Sequence, residues 1–516
     1  MKHVFLLLAL IFSIKNTCFA QAPIIIWEHT YGGGQMDEAF SIFNDQYGSF
    51  WVSGMASSHA LVFSIDNLGN QNWLKRYGGT YGTENAAQIL RSFDGNIIFA
   101  GRASSTDGDV VGLHGALPGD LSGDDDYWVV CLDTSGNILW QNCLGGNFSD
   151  DAYSIVQAPD SGYLIFGNIG SNDGQVNVYY GSDDLWIAKL TRTGLLQWRK
   201  TYGGSNNEIA GKIISTRDGG FIFCSSSQSF DYDVTSNFGS YDAWIVKLSS
   251  TGIIQWQRNY GGTGIDIAND IVQQDDGSYF VVGNTSSTDF DINDPKGQGD
   301  ILVMKIDSIG GLRWCRCLGG SQNDAGFAGC LTINGLEVVG YTYSNDSTVS
   351  GNHGYSDIAA FEIDNNGNML WSKCLGGSDF DKAYSVVSTY DGGTAIAGYT
   401  LSSDGDVSVP NAGNEQAWVI KLSPNLVKVD ELPKPHINFT CSIVNGSLVL
   451  NCNSDKIRTC VLRIYDLTGR IKLEKLISLD TGNNNLSFPV SVSNGVYVVN
   501  IFDKETSFIS EVFSLD

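Results

Sequence analysis

The sequence predicts an all-β protein: a seven-bladed β-propeller closed by its own N-terminal strand and followed by a small β-sandwich domain. Three observations predict it. Seven tryptophans, Trp27, Trp73, Trp140, Trp198, Trp256, Trp314 and Trp371, recur along the chain, the last four intervals being 58, 58, 58 and 57 residues. Six of them follow a glycine by four residues (Gly69, Gly136, Gly194, Gly252, Gly310, Gly367), and all seven precede a Gly-Gly step. Between these phrases the chain runs in short alternating apolar and polar stretches broken by turn formers, without helical periodicity. A fixed period of this length means repeated units that bury their faces against one another.

The first segment is a targeting signal. Lys2 and His3 precede an apolar run over residues 4–14, and Cys18-Phe19-Ala20 is a small-residue cleavage context. Residues 1–20 therefore read as a signal peptide cut between Ala20 and Gln21. The run is too short to span a bilayer, and no later stretch is apolar enough to do so. The expected mature chain is exported, either secreted or attached to the outer-membrane surface, with no transmembrane segment. Its net charge of −26 disfavours a nucleic-acid partner, whose phosphates such a surface repels.

The fourth unit shows the plan of a blade. Residues 208–216 alternate as a first strand, Gly219-Gly220 turns the chain, and residues 221–225 form a second strand. A polar loop leads to a third strand, Ala-Trp-Ile-Val-Lys-Leu at 243–248, and Ser-Ser-Thr-Gly turns into a fourth that carries Trp256. Four short strands per unit describe a propeller blade; tandem sandwiches would need about 100 residues each. The seventh unit has strands near 381–388, 394–400 and 417–422, then stops without its tryptophan strand. That strand stands at the other end of the chain, in Pro23-Ile-Ile-Ile-Trp27, and adding it closes the ring and hides both edges. The phrase Asp-x-x-Gly-x-x-x-Trp, at 133–140, 307–314 and 364–371, resembles the repeats of quinoprotein-type (PQQ-like) and WD40-like propellers. The resemblance implies fold and blade docking by tryptophan, and carries no cofactor with it.

Residues 21–422 thus form the propeller, and 423–436, with Pro424, Pro433 and Pro435, read as a linker. From 437 to 516 the texture changes to a small all-β domain. Its segments Val461-Leu-Arg-Ile-Tyr-Asp-Leu-Thr-Gly-Arg470 and Asn494-Gly-Val-Tyr-Val-Val-Asn-Ile501 resemble the C-terminal sorting domain of Bacteroidetes type IX secretion cargo. That resemblance implies passage across the outer membrane on the type IX machinery, then removal of the domain. The cargo is then released or attached to surface lipopolysaccharide. The final Ser-Leu-Asp departs from the basic last strand common in that family.

Of eleven cysteines, ten follow the cleavage point. Cys143, Cys317 and Cys374 share one repeat position with Thr30, Arg76, Thr201 and Asn259, which reads as a partly exposed strand position and not a metal ligand. Cys315 and Cys317 share a strand face, without zinc partners in view.

Each blade carries an acid just after its Gly-Gly: Asp37, Glu84, Asp150, Glu208, Asp266, Asp324 and Asp381. Seven carboxylates at one mouth of the channel would make a cation funnel; the competing and favoured reading is turn chemistry, repeated because the turn is repeated. The loops joining second and third strands are acidic too. In one of them Asp289, Asp291, Asn293 and Asp294 offer the alternating oxygens of a calcium loop, without its glycine and distal glutamate. Calcium is the one cofactor this pattern suggests. Blade two has the longest such loop, about 103–126, containing His114, Asp124, Asp125 and Asp126. Broken symmetry makes these four the candidate ligand-binding residues, in a cleft beside blades one and two.

There is no Gly-x-Ser-x-Gly, no His-Glu-x-x-His and no phosphate loop. Two functions remain open. One is a non-enzymatic binding or adhesion propeller for an extracellular glycan or protein. The other is a hydrolase or lyase acting on polysaccharide or peptide at the acidic face, which an acid pair about 5 to 9 Å apart among aromatics would favour.

Overall fold

The computed structural model describes residues 22–33, 36–45, 48–115, 124–408, 414–424, 437–444, 447–454, 458–466, 471–489, 495–503 and 508–515. The signal segment with its Ala20–Gln21 cut, and residues 425–436 of the linker, lie outside the described residues. Contacts divide the chain into two compact units, Met1–Leu426 and Val427–Asp516, each described by itself.

The first unit is seven four-stranded sheets. Within a blade the chain steps outward by antiparallel hairpins, as in Glu208–Ser215, Phe221–Ser227, Asp242–Leu248 and Ile254–Tyr260 of blade four. Every residue of the second and third of these strands is buried, because neighbouring blades cover both faces of the sheet. The hydrophobic core is accordingly a series of inter-blade layers. One layer joins Ile98, Tyr127 and Val129 of blade two to Ile155, Ile165 and Trp186 of blade three.

The glycine–tryptophan phrase is explained by two contacts rather than one. Trp73 Nε1 donates to Thr134 O of the next blade at 3.2 Å, and a Cβ on Gly136 would stand 2.9 Å from the Trp73 ring. Trp198 meets Gly252 in the same way at 3.0 Å. Six of the seven tryptophans, all but Trp371, therefore dock on the glycine of the following blade, a turn residue with φ of 75° at Gly136 and 71° at Gly252 that L side chains avoid. The tyrosine four residues after the tryptophan adds a bond to the same turn, Tyr77 Oη to Gly136 O and Tyr202 Oη to Gly252 O, both at 2.7 Å.

Closure follows from the same logic. Strand Ile25–Tyr31 pairs antiparallel with Gln416–Leu422, from Ile25 opposite Leu422 to Tyr31 opposite Ala417. Glu28 accepts Trp418 Nε1 at 2.7 Å and Ser408 N at 3.0 Å across the joint. Trp371 is the tryptophan whose following turn is split between the two ends of the propeller. Its Nε1 donates instead to Glu362 at 2.6 Å, while Lys373 Nζ reaches Pro23 O at 3.1 Å.

One expectation fails here. Cys143, Cys317 and Cys374 are buried, at 5, 2 and 6 % exposure. The outer strand packs this side chain against the next blade, so small thiol, Thr or Asn fit the gap; Thr30 stays half-buried and Arg76 exposed, the latter 3.8 Å from the buried Asp37.

The second unit holds two antiparallel sheets. Ser447–Ser454 lies between Ile437–Val444 and Gly482–Pro489, and the other sheet runs Ile471–Leu479, Arg458–Asp466, Gly495–Asp503, Phe508–Leu515. Leu448, Leu450, Leu462, Ile464, Ile477 and Leu479 are buried in it. Residues 467–470 of the Tyr-Asp-Leu-Thr-Gly-Arg turn lie outside the described residues. No helix among the described residues is long and apolar enough to cross a membrane.

Candidate functional site

The innermost strands of all seven blades surround a central channel, whose narrow part encloses about 110 Å³ and is lined by Phe40, Gln88, Tyr153, Lys212, Asp270 and Tyr384 among others. A bulge in the inner strand (between Ala39 and Ser41 in blade one, Ala152 and Ser154 in blade three) turns one side chain inward and frees the next to reach its neighbour. Ile42 N thus donates to Ser385 Oγ at 3.3 Å, Ile155 N to Gln88 Oε1 at 2.8 Å and Ile213 N to Ser154 Oγ at 3.1 Å. At blades four and five this polar chain becomes an ion pair, Lys212 to Asp270 at 2.8 Å.

The seven acids after Gly-Gly do not form an open funnel. All are buried, none more than 2 % exposed. Asp150, Asp266 and Asp324 accept the N–H of the second glycine at 2.8, 2.8 and 2.7 Å. Hydroxyls complete the cradle, as Ser227 does for Glu208 at 2.6 Å and Ser402 for Asp381 at 2.8 Å. The turn reading describes them. Burial pushes Asp150 and Asp381 up to about 6 and Glu208 to about 7, against these stabilising bonds.

A second buried acid opens the third strand of blades two to six: Asp126, Asp184, Asp242, Asp300 and Asp357. Each accepts a backbone N–H from the loop before it. The donors are His114 at 2.8 Å, Tyr180 at 2.6 Å, Phe238 at 2.5 Å, Lys296 at 2.7 Å and His353 at 3.1 Å. This places the blade-two candidates. His114 Nδ1 also lies 2.8 Å from Asp126, and His353 Nδ1 lies 2.6 Å from Asp357, so the pair is repeated in blade six. The extra length of the blade-two loop falls between His114 and Asp124, with residues 116–123 outside the described residues. Asp124 is half-buried beside it. A cleft between blades one and two is elsewhere, lined by Phe43, Asp45, Arg91 and Phe93 at the opposite end of the strands.

The four residues of the calcium-like loop are each engaged in a bond within the fold. Asp289 accepts Thr263 N at 2.8 Å, Asp291 accepts Gly261 N at 3.3 Å, Asn293 donates to Asp291 O at 3.3 Å, and Asp294 pairs with Lys296 at 2.5 Å. Among the described residues there is no group of three or more His, Cys, Asp or Glu set to hold a metal.

The mouth of the channel is where symmetry breaks. Seven equivalent backbone bonds rim it, from Asp37 N to Glu415 O at 3.2 Å around to Asp381 N to Ser356 O at 2.7 Å. The side chains on this rim differ by sector. On blades two and three, Arg102 lies 3.6 Å from Asp125 and 3.4 Å from Asp151, with Asp183 and the exposed Tyr153 beside them. Burial raises Asp125 to about 6; Arg102 opposes and Asp151 reinforces the rise. On blades six, seven and one stands an aromatic wall, Phe327 and Phe40 at 5.3 and 5.4 Å from Tyr384, and Tyr341 at 5.5 Å from Tyr343. Lys382 lies 4.8 Å over the Tyr341 ring. Glu38 accepts the Tyr384 hydroxyl, and its carboxyl is raised by burial and by Glu415. Of the predicted candidates only Asp125 belongs to this site. Asp151, Asp183, Glu38, Tyr343 and Tyr384 were missed; comparing inner-strand positions blade by blade would have singled out Glu38, Asp151 and Tyr384, where other blades have Ile209, Gly211 and Ile267, whereas Asp183 and Tyr343 lie outside the inner strands.

No known family and no curated protein matches the chain. Solved structures do, at low similarity. The quinohemoprotein alcohol dehydrogenase of Comamonas testosteroni is 11 % identical, with 77 % of this chain and 76 % of that one covered and a TM-score of 0.41. The polysaccharide lyase Uly1 is 10 % identical, with 77 % and 91 % covered and a TM-score of 0.42. The PQQ-bound aldose sugar dehydrogenase of Streptomyces coelicolor is 9 % identical, with 78 % and 100 % covered and a TM-score of 0.35. At these identities and TM-scores the matches carry no functional argument. The seven-bladed fold rests on this chain's own sheets.

Proposed function

We propose that the protein is an exported, cell-surface or secreted binding propeller that takes an extracellular glycan or protein ligand at the channel mouth. One observation carries this reading: a frame repeated seven times is broken at the mouth into an acid wall on blades two and three and an aromatic wall on blades six, seven and one. Aromatic faces supply apolar contact and the carboxylates accept hydroxyl or amide hydrogens, the usual division of labour in a ligand seat. A glycan and protein array probed with the chain from Gln21, with calcium and with chelator, tests it. At least one array ligand should lose its signal in both Tyr343→Ala and Asp183→Asn, with the melting temperature unchanged; an array on which neither variant changes any signal sinks the assignment.

A second reading has one observation in its favour. Burial and the neighbouring Asp151 carboxylate raise Asp125 to about 6, toward the range in which a general acid works. Both carboxyls share Arg102, however, which ties them to the wall, and binding is therefore the preferred function. Polysaccharide cleavage lost in Asp125→Asn would reverse that preference.

Export belongs to the same proposal. The apolar residues 4–14 support a signal peptide, and the segments 461–470 and 494–501 support a type IX sorting domain. A chain truncated after Leu422 should stay in the periplasm, and its arrival at the surface or in the medium would refute the sorting role.

A further inference from the structure

Two loops after the second strand depart from the others in a costly way. Each such loop closes a tight turn behind its first aspartate, Val234 N donating to Asp231 O at 2.9 Å in blade four and Ile292 N to Asp289 O at 3.0 Å in blade five. The residue after that aspartate is left-handed in six blades: Gly108 at φ 68°, Gly174 at 61°, Tyr232 at 50°, Phe290 at 53°, Ser347 at 58° and Gly405 at 67°. Glycine suits this position, and a bulky L side chain there is a conformational outlier. Blades four and five accept the strain and gain little burial for it, since Tyr232 is 66 % and Phe290 60 % exposed.

Each strained ring lies against an aromatic of the preceding blade. Tyr180 and Tyr232 are 4.9 Å apart at 34°, and Phe238 and Phe290 are 5.2 Å apart at 32°. Tyr180 and Phe238 occupy one repeat position, the one that gives its N–H to Asp184 or Asp242 and that holds histidine in blades two and six. The two aromatic pairs are therefore the same construction displaced by one blade. Phe230, 71 % exposed, stands two residues before Tyr232.

We infer that the outer rim of blades three to five is a platform for a linear, uncharged polysaccharide, each aromatic pair taking one sugar ring. Backbone strain kept in exposed aromatics marks a function that folding does not require. The C–H-rich face of a pyranose meets the negative face of an aromatic ring favourably. Two seats at equivalent positions one blade apart, one of tyrosines and one of phenylalanines, fit a chain of repeating units better than a single small ligand. Asp231, Asp233, Asp289 and Asp291 surround the seats, and the chain carries −26 overall, so a polyanion is repelled. The aromatic pairs of the platform share no residue with the channel-mouth site, and the proposal does not depend on that site.

Affinity electrophoresis of the chain from Gln21 tests this, with glucomannan and hydroxyethyl cellulose as neutral polymers, polygalacturonate as an anionic one and poly-lysine as a cationic peptide. A neutral polymer should retard the protein and polygalacturonate should not. The double variant Tyr232→Gly, Phe290→Gly should lose about tenfold in affinity, while its melting temperature stays level or rises, because glycine relieves the left-handed strain. Tyr343→Ala at the mouth should leave the retardation unchanged, which separates failure of this platform from failure of the mouth. Retardation by the double variant equal to wild type, binding to poly-lysine alone, or no retardation by either neutral polymer would overturn the proposal.

Discussion

The loops before the third strands of blades two and six look unlike in sequence and are built alike in space. In both, a histidine gives its backbone N–H and its ring nitrogen to the buried aspartate that opens the strand. The blade-two loop is longer only beyond that clamp. Blades four and five show the converse: their loops have ordinary length, yet hold strained, exposed aromatics. In a repeat protein, loop length is a poor guide to function; a residue that breaks a repeated contact is a better one.

The largest test of the repeated frame removes one of its parts. Deleting residues 22–33 takes away the strand paired with Gln416–Leu422 and leaves that edge open. The cost should exceed the ~3–5 kcal/mol of a single buried Trp→Ala change, and the protein should melt far lower and aggregate. A monomer that melts as before would refute closure by the N-terminal strand. Within the ring, Trp198→Ala should cost less than the ~3–5 kcal/mol of a fully buried Trp→Ala change by chemical denaturation, because the ring is only half-buried. Gly252→Val should be comparably damaging, because a Cβ there stands 3.0 Å from Trp198. Near-neutral Gly252→Val would show that the two contacts are not coupled.

The fold was legible because its determinants repeat. Trp, Gly and Tyr-Gly-Gly recur with the docking contact, so periodicity reported packing directly, and the unpaired Trp27 phrase reported closure. The site was not legible for the opposite reason. Asp151 and Tyr384 lie in ordinary strand alternation and Asp183 stands just before the third strand of blade three, and only the ring brings residues of blades two, three, six, seven and one to one mouth. The cysteines were misjudged because swapping with Thr and Asn signals size as well as exposure; buried inter-blade gaps also take small side chains.

The buried acids make the frame pH-sensitive in a direction opposite to ordinary carboxylates. Burial raises Asp126, Asp150, Asp184 and Asp381 to about 6 and Asp242 to about 7, above their values in the unfolded chain. The folded state then binds more protons than the unfolded one, so stability falls as pH rises through the folded values. Melting temperature should climb as pH is lowered from about 8 to about 5. Asp242→Asn should flatten that slope and raise melting at the alkaline end. A wild-type protein more stable at pH 8 than at pH 5 would contradict it. A smaller comparison pairs the two histidines: His114→Ala and His353→Ala should each cost about 1 kcal/mol, and a much larger or purely functional effect at His114 would restore it as a site residue.

Calcium gives the smallest effect and the finest comparison. Asp289 and Asp291 hold the Gly261–Thr263 turn as Asp107 and Asp109 hold the Gly78–Thr80 turn, with Thr80 N to Asp107 at 2.7 Å and Gly78 N to Asp109 at 3.2 Å. If both pairs only cap turns, calcium finds no preformed cage in either. A millimolar site at an equal concentration of ion would stabilise by only about 0.4 kcal/mol, at the edge of a thermal-shift measurement. The expected difference between calcium and chelator is therefore at most this size. It should persist when Asp107 and Asp109 are changed to Asn and disappear when Asp289 and Asp291 are. A calcium shift of several degrees, lost only in Asp289→Asn with Asp291→Asn, would mean that the loop closes around the ion and departs from the turn geometry it shares with blade two.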